Sequence, residues 1–90
     1  MEIPVPDDLL AICREIVAEG KTDEEWAEIE AGDWFQTDTV HGGYEADEHA
    51  FTFSLYTPDG GERWLTLTLA EAAEVARGLR TTVEARRPDE

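Results

Sequence analysis

His41 and His49 bracket Glu45, Asp47 and Glu48, and imidazoles among carboxylates are what a divalent cation or an acid–base pair requires. Seven residues separate the two histidines, which is not the spacing of a ligand pair on one helical face. Gly42-Gly43 beside His41 predicts a mobile loop in which the glycines provide a turn. The sequence thus assigns no catalytic residue, no metal site and no cofactor, with His41 and His49 the only candidates for a small metal-dependent enzyme.

Cys13 falls in an apolar helical stripe with acidic neighbours, where a thiolate is disfavoured, so it reads as a structural cysteine rather than a nucleophile. Ser54 is the only serine and lies mid-strand with no nucleophile elbow around it. Gly42-Gly43 and Gly60-Gly61 resemble phosphate cradles only superficially, since neither precedes a helix start and neither has a lysine nearby. Turn chemistry accounts for both pairs.

Binding is better represented than catalysis. Glu19 to Asp33 carries acids at 19, 23, 24, 25, 28, 30 and 33. Asp23, Glu24, Glu25, Glu28, Glu30 and Asp33 on a rigid helix and its flanks can present carboxylates to a basic protein surface. In that reading the chain is a small inhibitor of the immunity, anti-defence or nucleic-acid-mimic type. The plainer account is a solvated helix face. A second surface comprises Tyr56, Trp64 and Trp34, because strand alternation places Tyr56 and Trp64 on the sheet face opposite Phe53 and Leu67. Exposed aromatics of that kind anchor interfaces, and they would make the chain an accessory interaction module. Helices covering that face too, or a pair that merely stabilises the hairpin, would explain them equally.

The elements that position these residues follow from local pattern. After an extended lead over Met1 to Pro6, Asp7 or Asp8 can cap a helix whose apolar positions are Leu9, Ile12, Cys13, Ile16 and Val17, with Gly20 as its stop. Thr22 and Glu25 have capping-box spacing and open a second helix that Gly32 ends. Residues 34–40 read as a strand broken by His41-Gly42-Gly43. Ala50 to Thr57 and Glu62 to Thr68 form a hairpin through Pro58-Asp59-Gly60-Gly61. Setting apolar against apolar across it requires a loop of odd length, three or five residues, with a type I turn and a bulge. Thr68 and Glu71 repeat the capping-box spacing before a third helix with a stripe of Leu69, Ala72, Ala73, Ala76 and Leu79. Residues 81–85 are an edge strand or a continuation of that helix, and 86–90 a charged tail. The expected fold is α+β: two N-terminal helices, a three- or four-stranded antiparallel sheet, and a C-terminal helix packed on it.

Composition sets the outer limits. Ninety residues with 41% apolar content and eight aromatics (three Trp, three Phe, two Tyr) suffice for one domain over one core. The 22 acids against 7 Lys and Arg give a net charge of −15. Residues 1–50 hold 15 of the acids against Arg14 and Lys21, a net of −13, so the negative field belongs to the N-terminal half. Direct binding to nucleic acid or an anionic membrane is disfavoured, since it needs clustered cations. A single cysteine allows no internal disulfide, and neither a leader nor a membrane-spanning run is evident, which together predict a cytoplasmic protein.

Overall fold

The computed structural model describes residues 1–29 and 35–87, so Glu30, Asp33 and Trp34 lie outside the described residues, and the second helix ends at Glu28, with Ile29 extended, before the Gly32 expected to stop it. Strand β1 (Glu2–Pro4) leads into helix α1 (Asp7–Glu19), which buries Leu9, Ile12, Cys13 and Ile16. That spacing is the stripe a 3.6-residue period places on one face. Gly20 closes the helix at φ 65°, in the left-handed region that suits a residue without Cβ. The expected aspartate cap does not form: Pro6 holds the N-cap position and no side chain accepts there. Asp8 instead accepts hydroxyl protons from Thr39 (2.5 Å) and Thr37 (3.1 Å), which fastens α1 to a turn in the sheet. These bonds, Thr39 foremost, hold the Asp8 carboxyl below its usual range.

Helix α2 (Asp23–Glu28) begins at a complete capping box. The Thr22 hydroxyl accepts from the Glu25 amide and the Glu25 carboxylate accepts from the Thr22 amide, each at 3.2 Å. Trp26 is the residue this short helix buries.

Strands β2 (Phe35–Gln36), β3 (Val40–Glu45), β4 (Ala50–Tyr56) and β5 (Glu62–Thr68) form one antiparallel sheet in the order β2-β3-β4-β5. Two expectations are corrected here. The strand anticipated over 34–40 is interrupted at 37–39, where the Thr37 hydroxyl accepts from the amides of Thr39 and Val40 and builds a turn from residues whose β-branching favours strand. Conversely, His41-Gly42-Gly43 does not break the strand but lies within β3, bonded on one side to β2 and on the other to β4. Gly42 is required there by close approach: a Cβ would stand 2.4 Å from Cδ1 of Phe53 and 2.5 Å from the Thr52 carbonyl oxygen.

The β4–β5 hairpin has the anticipated register, with Phe51 opposite Leu67 and Phe53 opposite Leu65. Tyr56 pairs with Glu62, so the connection is the five residues 57–61, and Gly60 takes φ 83°. Helix α3 (Leu69–Ala76) opens on the second capping box, Thr68 with Glu71, and packs on the sheet beside α1. Its buried residues are Ala72 and Val75. Leu79, expected in the stripe, is 74% exposed, because the helix ends at Ala76 and Gly78 turns the chain at φ 76°.

Strand β6 (Thr82–Glu84) is neither a helix continuation nor part of the four-stranded sheet. It pairs with β1, which makes the anticipated extended lead a strand. Arg86, placed in the charged tail by the sequence, forms a two-bond bridge to Trp64 on β5. The core is continuous: α1, α3, Trp26 and Val83 close on Val40, Phe51, Phe53, Leu55, Leu65 and Leu67 from one side of the sheet.

Candidate functional site

Alternation fixes what the sheet shows on its two sides. With Phe51, Phe53 and Leu55 committed to the core, Thr52, Ser54 and Tyr56 point to the other face. They are joined there by Glu62, Trp64, Thr66 and Thr68 of β5, His41 of β3 and Gln36 of β2 through the cross-strand register. Trp64, Thr66 and Thr68 are exposed, so the helices do not cover this face. Trp64 is 45% and Tyr56 44% exposed, in a domain whose other described aromatics except Tyr44 and Phe35 are buried.

A concavity of about 660 Å³ opens on this face, bounded by Tyr56, Trp64, His41, Ser54 and Gln36, with Thr52, Phe35 and Phe53 completing its wall. Tyr56 and Trp64 are diagonal across the hairpin, Trp64 facing Ser54 and Tyr56 facing Glu62. The His41 imidazole meets the Tyr56 ring edge-on at 5.1 Å between centroids. Glu62 organises the corner: one carboxylate oxygen, Oε1, accepts from the Ser54 hydroxyl and, at 2.6 Å, from the Trp64 indole N–H. Those two bonds, the Ser54 one foremost, with the His41 charge a lesser contribution, keep the Glu62 carboxyl below its ordinary range. The arrangement can grip a molecule presenting apolar or cationic groups. The Ser54 hydroxyl proton is directed to the Glu62 carboxylate and not to the His41 imidazole.

The residues singled out from sequence fall in several places. His41 lies on the outer face, whereas His49 sits at φ 51° in the turn between β3 and β4. Their neighbours Ser54 and Ala50 lie four residues apart along β4, roughly 13 Å at strand rise. The structure therefore does not bring the two histidines together. Among the described residues no three His, Cys, Asp or Glu side chains converge as a metal site would require.

The acids of α2 are partly engaged within the domain. Asp23 accepts from the Tyr44 hydroxyl at 3.2 Å and Glu25 closes the capping box, while Glu24 and Glu28 are exposed and take part in none of the ion pairs among the described residues. Glu62, Ser54 and Gln36 were not anticipated as site residues. A signal for Glu62 was present in the sequence, since positions 62 and 64 of a strand share a face. No helix among the described residues is long and apolar enough to cross a membrane.

Cys13 is fully buried, and burial pushes its thiol up to about 11 from an ordinary 9.0. Thiolate is the reactive form, so an aromatic disulfide reagent at mildly alkaline pH is expected to label Cys13 only at the rate of global unfolding. Labelling at the speed of a free thiol, with the fold intact by circular dichroism, would contradict the burial. The sign of the linkage follows: above 9.0 the unfolded chain ionises first, so this contribution to stability declines as pH rises toward 11.

No family model matches the chain, and no curated protein or solved structure is significantly similar to it.

Proposed function

We propose that this domain is a non-enzymatic protein-binding module that docks its partner on the outer face of the four-stranded sheet, with the acidic character of the chain steering a basic partner toward it. The observation that carries the reading is the half-exposed pair Tyr56 and Trp64 beside one concavity on an uncovered sheet face. Large aromatic rings left in water at such a place gain most when a partner removes them from it, and Trp and Tyr are the residues most often found as interface anchors. The net charge of −15 raises the encounter rate with a cationic surface and repels nucleic acid.

Trp64→Ala is expected to weaken partner binding by about thirtyfold, the scale of an anchor residue, while leaving the far-ultraviolet circular dichroism unchanged. The measurement is capture of partners from lysate on immobilised wild-type and variant domain, followed by titration of the partner so identified. Equal affinity of the two domains would dismiss the sheet face as the docking surface. The exposed carboxylates of Glu24 and Glu28 support a second reading, in which α2 itself is the contact surface of an inhibitor. Charge reversal at those two positions separates the readings: it abolishes binding in the second and only slows association in the first.

A further inference from the structure

We propose that the Glu62 corner of the outer face receives an arginine side chain of the partner protein, with the guanidinium lying against the Trp64 and Tyr56 rings and donating to Glu62. This rests on the docking reading above and names the group taken at the rim of the concavity, whose wall includes Tyr56, Trp64 and Ser54 and beside which Glu62 stands. Both hydrogen bonds that hold Glu62 converge on Oε1, so Oε2 accepts none from the described residues. Its partners Ser54 and Trp64 keep it charged and fixed in direction.

Of the chain's own cations, His41 stands on the same face as Glu62 and Arg86 lies beside Trp64 across the β5 edge, but neither is paired with the Glu62 carboxylate. Arg63 points to the opposite side of β5 by alternation, and its guanidinium donates to the Glu62 backbone carbonyl rather than to the carboxylate. Arg80 pairs with Glu71 and Glu74. Arg86 and Arg87 line a depression on the other flank of Trp64, together with Glu45, Glu48 and Glu84. Glu62 has no ion pair among the described residues.

Geometry selects arginine over lysine. The Trp64 indole N–H bonds to Glu62 in the plane of the ring, so the carboxylate stands at the edge of that plane. A planar cation stacked on the indole face can hold the ring and donate sideways to the free oxygen in one pose. An ammonium has no flat face to stack and satisfies one of the two contacts well at a time.

The test uses the intact domain and three capped tripeptides, Gly-Arg-Gly, Gly-Lys-Gly and the neutral isostere Gly-citrulline-Gly, followed by the Trp64 indole proton–nitrogen resonance. The arginine peptide is expected to shift that resonance saturably. The lysine peptide should bind about threefold more weakly and the citrulline peptide should not saturate. Glu62→Gln keeps an acceptor for Ser54 and Trp64 while removing the charge, and should weaken arginine-peptide binding about tenfold with amide dispersion retained.

Equal titration by arginine and citrulline, which needs no variant, would overturn the proposal. So would unchanged binding by Glu62→Gln, or shifts confined to Glu24 and Glu28. The partner assay separates this inference from the reading beneath it. Binding lost in Trp64→Ala but intact in Glu62→Gln leaves the docking face and removes the arginine, whereas binding intact in both removes the two together.

Discussion

Gly42→Ala is expected to lower the stability of the domain by about 3 kcal/mol or more, although alanine is the smallest side chain that could be added. The added carbon would fall 2.4 Å from Phe53 and 2.5 Å from the Thr52 carbonyl oxygen, both well inside contact distance. A flexible side-chain end could yield at small cost. Here one obstacle is the ring of a fully buried phenylalanine and the other is backbone bonded within the sheet. For a domain of this size the loss corresponds to a fall in melting temperature of roughly 12 to 24 °C, read by thermal circular dichroism. Repeating the substitution with Phe53→Ala should relieve part of the penalty, because the ring is then gone while the carbonyl remains. A Gly42→Ala protein that melts with the wild type would mean that β3 and β4 do not approach as described.

Phe51→Ala is the other change with a large expected effect, about 3 to 5 kcal/mol. Phe51 is fully buried, and its ring centroid lies 5.2 Å from that of Trp26, 5.1 Å from Tyr44, 6.2 Å from Phe35 and 6.3 Å from Phe53. Removing it deletes the hub that joins α2 to the strands. A small domain has about 5 to 15 kcal/mol in all, so the remaining margin would be thin. The urea midpoint should drop accordingly, with the near-ultraviolet signal of the aromatic cluster weakened even before unfolding. A midpoint shifted by less than about 1 kcal/mol would show that the cluster is looser than its geometry implies.

Elements whose cause is local were legible in the sequence. The two threonines and glutamates of the capping boxes lie three residues apart, and each pair satisfies its own helix end. The hairpin register followed from alternation at 51, 53, 55 and at 65, 67, closed by a loop of odd length. What escaped was decided at a distance. A glycine pair after a histidine is a turn signal when read in its own neighbourhood, yet Gly42 answers to the ring of Phe53, eleven positions on and in the next strand. Thr37 and Thr39 look like strand until Asp8, far upstream, engages their hydroxyls. The helical period ran on to Leu79 because periodicity alone could not register the turn that Gly78 makes. In the candidate site, Tyr56 and Trp64 could be placed on one face from alternation. Glu62 was one acid among 22, distinguished only when folding set Ser54 and Trp64 beside it.

The bridge between Trp64 and Arg86 bears on how anything can attach to this protein. A sheet's outermost strand ordinarily offers a ladder of unused amides and carbonyls, the route by which fibrils grow and by which extended peptides add themselves as a further strand. On β5 that ladder is stoppered near its midpoint by the domain's own returning chain, and at the opposite margin β2 comprises Phe35 and Gln36 among the described residues. Backbone zippering at β5 is thereby blocked at its centre, so a further strand could extend that edge only by first displacing Arg86.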